Sequence, residues 1–162
     1  LIVTHNPEEA MRLGDRIVVL RAGRIVQAGT TESLYLNPAS LFVARLFSEI
    51  NEIPVKVEGG RVATAAGSFA APGLSDGTVA VLCLRERAIT VRLPGPDTKG
   101  MLYGRVIDHK FLGDFSRLDV AVQGFDQPLK VRVSGTDGLA KGREVMVSIA
   151  PDAGLVFAVE PN

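Results

Sequence analysis

The sequence has 162 residues, 46% of them hydrophobic, and its 18 basic and 18 acidic side chains cancel to a formal net charge of zero. That is apolar material for one ordinary core or two small ones, and the mixed charge carries no basic block of the kind that marks a nucleic-acid footprint. No apolar run approaches the ~20 residues needed to span a bilayer, and a single cysteine, Cys83, leaves no intrachain disulfide framework.

The first stretch, Leu1-Ile2-Val3-Thr4-His5-Asn6-Pro7-Glu8-Glu9-Ala10, reads as the end of a buried strand, a loop presenting one histidine, and the start of a helix. The apolar run Leu1-Ile2-Val3 suits a two-sided parallel sheet. Thr4 and His5 fall where such a strand reaches its carboxyl end, the place where open α/β sheets hold ligands. Asn6 can cap the helix, Pro7 at the first helical position wastes no N–H, and Glu9 stands where it can reach back to the cap. A strand that opens the chain has its beginning and its partners elsewhere, so the sequence is expected to be the end of a larger protein.

A helix is predicted over 7–13, with Gly14 as a left-handed C-cap. Two β-branched runs, 17–20 and 25–29, flank Arg21-Ala22-Gly23-Arg24 and read as a hairpin that closes the edge of a sheet. Thr30 or Thr31 caps a helix that Asn37-Pro38 ends. Ser40 caps another, whose apolar residues Leu41, Phe42, Ala44, Leu46 and Phe47 are expected to pack against the domain. From 48 to 54 the texture is that of a hinge. Beyond it, short β-rich runs at 55–57, 61–64, 68–70, 78–84, 88–92, 101–111, 116–122, 129–133, 145–149 and 155–159 alternate with turns. Gly59-Gly60 is a clear hairpin turn, and Ser134-Gly135-Thr136-Asp137-Gly138 supplies another. Many short strands at this spacing mean a small barrel or sandwich.

Val3-Thr4-His5, Glu9-Ala10, Asp15-Arg16, Val18-Val19-Leu20, Gly23-Arg24-Ile25 and Gly29-Thr30 together resemble the segment from the switch-histidine loop to the end of the nucleotide-binding domain of ABC transporter ATPases. Leu34-Tyr35, Asn37-Pro38 and Phe42-Val43-Ala44 are similar to the importers that carry a C-terminal regulatory domain of the TOBE type. Phe111-Leu112-Gly113 and the strand-rich remainder match more loosely. The resemblance implies an α+β chain. Residues 1–47 would be the tail of an α/β nucleotide-binding domain, 48–54 a linker, and 55–162 an all-β, OB-like TOBE barrel.

It further implies a part of the ATP-hydrolysing subunit of a solute importer, with ATP and Mg²⁺ used by the intact parent. The expected partners are a second copy of the subunit and membrane permease subunits, at the cytoplasmic face of the cell membrane, and no nucleic acid. The junction Phe47-Ser48-Glu49-Ile50-Asn51 looks more like iron(III) or polyamine importers than sugar importers. The regulatory domain would contact its counterpart and bias closure of the dimer.

His5 is the one candidate catalytic residue. A histidine at a strand end can donate a hydrogen bond to a γ-phosphate oxygen and so sense the phosphate, the role the resemblance gives to a switch histidine. Family members usually carry Asp next, where this chain has Asn6. The sequence holds no G-x-x-x-x-G-K-[ST] loop, no acidic strand end and no serine-glycine-glycine signature. This stretch alone is therefore expected neither to hold ATP nor to hydrolyse it, and no metal site is expected.

His109 is expected to be half-buried with a hydrogen bond, on a face with Ile107 and Phe111, and Cys83 to be an ordinary buried thiol. Arg85, Arg87 and Arg92 are read as a solvated, mixed-charge edge rather than an anion patch. The reading of a different class is a stand-alone OB-like module for an oxyanion or an oligonucleotide, the latter through aromatic platforms in a basic groove.

Overall fold

The computed structural model describes residues 1–135 and 138–159. They form two compact units, Leu1–Glu49 and the chain from Ile50 onward.

In the first unit, helix α1 (Pro7–Leu13) leads into the hairpin of β1 (Ile17–Arg21) and β2 (Arg24–Gly29), followed by α2 (Thr31–Leu36) and α3 (Leu41–Phe47). The three helices are capped as their sequences dictate: Asn6, Thr30 and Ser40 each accept backbone N–H groups of the first turn through the side chain. Leu34, Val43 and Phe47 meet Ile17 and Val19 of β1 in a small core. Val43 was not among the predicted packing positions, yet it is fully buried.

Three expectations change here. Leu1, Ile2 and Val3 lie outside any strand and are exposed. A strand needs a ladder partner for its N–H and C=O groups, and β1 and β2 pair only with each other. For the same reason the hairpin is a two-stranded sheet of its own and closes no larger one. Gly14 has φ −106°, so it is no left-handed cap. Its N–H still bonds the Ala10 carbonyl, and a Cβ there would stand 3.0 Å from that oxygen, so close approach explains the glycine.

The second unit is almost wholly β. Its strands are β3 (Ile50–Lys56), β4 (Arg61–Thr64), β5 (Gly67–Ala70), β6 (Val79–Arg85), β7 (Ile89–Arg92), β8 (Leu102–Phe111), β9 (Ser116–Val122), β10 (Leu129–Val133), β11 (Glu144–Ile149) and β12 (Gly154–Ala158). Residues 48–54, read as a hinge, are not one segment: Ser48 caps the end of α3, and Ile50 to Pro54 belong to β3. Pro54 is tolerated because β3 is an edge strand. Gly59 and Gly60, at φ +58° and +69°, make the predicted turn between Glu58 and Arg61. Of the turn expected at 134–138, Thr136 and Asp137 fall outside the described residues.

The strands make a five-stranded sheet in the order β10-β9-β8-β11-β7 and a three-stranded sheet in the order β12-β6-β3, with β4 and β5 as a separate hairpin. The larger sheet curls until its edges, β10 and β7, lie against each other, giving a nearly closed barrel. β9 shows the alternation that fills it: Ser116, Leu118, Val120 and Val122 are buried, and Arg117, Asp119 and Ala121 face out.

A buried amide side chain joins the two sheets at their edges. Asn51 of β3 donates through Nδ2 to the Lys130 carbonyl at 2.9 Å and to the Leu84 carbonyl at 3.3 Å, and its Oδ1 accepts from the Lys130 N–H at 2.7 Å. The amide thus stands in for a neighbouring strand along β10, and it is 7% exposed.

Candidate functional site

The histidine loop is built from four neighbouring residues. Asn6 Oδ1 accepts from the N–H groups of Glu8 (2.9 Å) and Glu9 (3.3 Å), which starts α1. The Asn6 N–H donates to Thr4 Oγ1 at 3.0 Å, and the Thr4 hydroxyl donates to Glu9 Oε2. Glu9 therefore reaches back as expected, but to the threonine hydroxyl rather than to the cap's own N–H. Thr4 relays the contact and satisfies both groups.

This network pins the backbone on either side of His5. The imidazole itself is exposed and makes no hydrogen bond among the described residues. Asn6 in place of the more usual Asp keeps the cap, because capping needs only the side-chain oxygen.

The donor set here has a definite chemistry. One imidazole can donate to one phosphate oxygen. A Mg²⁺ shell calls for about six oxygens, and among the described residues no group of three His, Cys, Asp or Glu side chains could hold a metal ion. His5 can therefore offer a single hydrogen-bond contact from an exposed ring.

The remaining sequence candidates resolve as follows. His109 is half-buried with Nε2 3.0 Å from the Ser116 hydroxyl, as expected. A bulge between Val106 and Asp108 sets the pairing of β8 with β9, so that His109 stands opposite Leu118. Cys83 is 1% exposed.

At the arginine-rich edge Arg85 is half-buried, and the neighbouring glutamate is not the solvated charge the edge was read to carry. Arg87 and Arg92 are exposed, but Glu86 is 4% exposed and its Oε1 lies 3.1 Å from the Arg117 Nε of β9. The two charges pair without an aligned hydrogen bond. Burying a carboxylate demands such a partner, and the partner comes from a distant strand, so no local pattern announces it.

Sequence reasoning also missed a groove of about 590 Å³ beside the start of β10. Glu52 and Pro54 from β3 face Phe125 and Asp126 from the β9–β10 connection, with Asp119 and Lys130 alongside. These residues are brought together only by the edge-to-edge meeting of the two sheets.

Comparison with known proteins gives this architecture a setting. Residues 82–157 match the TOBE domain model. The sulfate/thiosulfate import ATP-binding protein CysA 2 of Chromobacterium violaceum is 36% identical over 126 residues, covering 76% of this chain and 34% of that protein. The Fe(3+) ions import ATP-binding protein FbpC 2 of Rhizobium meliloti is 31% identical over 176 residues, covering 98% of this chain and 45% of that protein. The chain corresponds to the C-terminal portion of an importer-type ABC ATP-binding subunit.

The TOBE domain accounts for most of the barrel: the matched residues run from β6 through β12. The chain spans between a third and a half of the length of these import ATP-binding relatives. Among solved structures, the cytoplasmic molybdate-binding protein ModG, with molybdate bound, superposes with a TM-score of 0.52 at 14% identity. It covers 67% of this chain and 96% of that one. At that identity the likeness supports the OB-like barrel fold alone.

Proposed function

We propose that this chain is the regulatory end of the ATP-hydrolysing subunit of an importer for an inorganic ion. The observation that carries the reading is that similarity to the Fe(3+) import ATP-binding protein of R. meliloti runs over 98% of the chain, through both compact units. In this reading the first unit is the tail of a nucleotide-binding domain, and the barrel is its regulatory domain. The intact subunit pairs with a second copy and with membrane permease subunits at the inner face of the membrane. No described helix is long and apolar enough to cross a membrane by itself.

His5 supplies the chemistry this chain can contribute. Phosphoryl transfer to water depends on positioning and on donors aimed where charge develops. The imidazole donates one N–H to a γ-phosphate oxygen of ATP. The Thr4–Asn6–Glu9 network holds the loop while that contact forms, so loss of the phosphate is felt at the start of α1. Magnesium, when bound with the nucleotide, neutralises phosphate charge through ligands elsewhere in the parent.

Iron(III) is the first choice of cargo, on the Phe47-Ser48-Glu49-Ile50-Asn51 junction and on relatives named for it that cover up to 98% of the chain, against up to 90% for those named for sulfate/thiosulfate. The stand-alone binding module has only the low-identity fold likeness behind it. Uptake of radiolabelled iron(III) and sulfate, compared between cells with and without the gene, decides the cargo. The expected result is loss of iron uptake with sulfate uptake unchanged, and the reverse pattern would reassign the importer.

A further inference from the structure

The groove beside β10 has no part in the function proposed above, and one of its walls is the open edge of β3. Among the described residues β3 pairs only with β6, and no strand lies on its other side. The hydrogen bonds fix which backbone groups face that side. The Val79 carbonyl of β6 accepts from the Val159 N–H, so Val79 is turned toward β12. Lys56 stands opposite Val79, and its own N–H and C=O are therefore turned away from β6. The direction alternates along a strand, which turns Pro54 and Glu52 the same way. Pro54 agrees with this, because a residue without an N–H at that position takes nothing from the β3–β6 ladder.

Six consecutive residues of β3, 50–55, line the groove. Successive side chains of a strand point to opposite faces, so an unbroken run of lining residues means that the backbone edge itself faces the space. At ~3.3 Å per residue the run is about 20 Å long. The opposite wall is the connection 124–130, and it is held in place twice. The Asn51 amide bonds the Lys130 N–H and C=O. The turn between β4 and β5 packs so closely on the connection that a Cβ on Gly124 would stand 2.3 Å from the Ala65 Cβ. Glu52, Asp119 and Asp126 line the groove against one lining cation, Lys130, and Phe125 is half-buried beside them. Charge and proline alone suffice to keep an edge from aggregating; a fixed second wall with an aromatic ring in it is more than that task needs.

We propose that this groove takes an extended segment of another protein, added to β3 as a further strand. A lysine or arginine of the segment faces the acidic groups, and an apolar residue lies against Phe125. In this mode main-chain hydrogen bonds give affinity and alternate side chains give choice. The Pro54 carbonyl accepts from the incoming strand, while its missing N–H keeps the new ladder short and the contact reversible. The inference goes beyond the reading of ATP hydrolysis and does not rest on it.

The probes are fluorescein-labelled pentapeptides that alternate lysine or arginine with valine, threonine or phenylalanine. They are titrated at low salt into the 162-residue chain without nucleotide, and amide chemical shifts are read in parallel. The expected result is saturable binding by at least one of them, with shift changes confined to residues 50–55 and 124–130. Asp126→Lys, at an exposed position, weakens that binding about tenfold or more and leaves the urea midpoint unchanged. Methylating alternate backbone nitrogens of the peptide, which removes its ladder donors, also weakens binding about tenfold or more. Pentapeptides with glutamate in place of the basic residues do not bind. Absence of saturable binding at millimolar peptide overturns the proposal. So do shifts centred elsewhere on the barrel, or indifference either to Asp126→Lys or to the methylation. If spermidine displaces the peptide and methylation has no effect, the groove is a site for a small cation and the proposal is wrong. Self-association of the chain through residues 50–55 that shuts the peptides out would equally contradict it.

Discussion

Replacing His5 by alanine in the intact ATP-binding subunit is expected to lower kcat for ATP hydrolysis by about a hundredfold or more, with KM for ATP changed little. A donor aimed at developing charge contributes mainly in the transition state, and removal of one such donor typically costs about 10²–10³ in rate. Because His5 makes no hydrogen bond among the described residues, its loss should leave the fold untouched. The same melting temperature in variant and parent would separate a chemical from a structural effect. Thr4→Val removes the relay between Asn6 and Glu9. It should lower kcat by a smaller factor, because the histidine remains and only its loop loosens. Steady-state kinetics of both variants would settle this, and an unchanged kcat in His5→Ala would remove the residue from the mechanism.

The largest effect on stability is expected at Asn51. Changing it to leucine keeps the volume but removes the amide that satisfies both the N–H and the C=O of Lys130 and also touches the Leu84 carbonyl. Each buried polar group left without a partner costs about 1–3 kcal/mol, so a loss of about 2–4 kcal/mol is expected. Asn51→Asp should do comparable damage, since a carboxylate would be set against two carbonyl oxygens with no N–H to offer them. Urea unfolding followed by circular dichroism measures it: the midpoint should fall with the slope unchanged. A midpoint within experimental error of the parent's would show that β3 and β10 stay together by apolar packing alone.

These two sites differ in how far the sequence discloses them. The histidine loop is local, so its parts stand within six positions from Thr4 to Glu9 and the caps follow from side-chain chemistry. The barrel strands were legible because inward apolar residues alternate with polar ones, as β9 displays. What could not be read depends on contacts between remote parts of the chain. Leu1-Ile2-Val3 has strand composition but no ladder partner among the described residues. Glu86 looks like one more surface charge until Arg117 arrives from β9. Asn51 looks like a hinge residue until the sheet edge at Lys130 meets it. The groove beside it, and the open edge of β3 that walls it, exist only once the register is set.

The most direct test of the account is to read the coding sequence upstream of Leu1. The proposed function predicts an in-frame segment holding a G-x-x-x-x-G-K-[ST] loop, a serine-glycine-glycine signature and an apolar strand ending in an acidic residue. Those are the parts that cradle the phosphates and complete a partner's site around His5. An open reading frame that begins close to Leu1, or one that lacks these motifs, would contradict ATP hydrolysis by the parent and leave the barrel to act as a binding module.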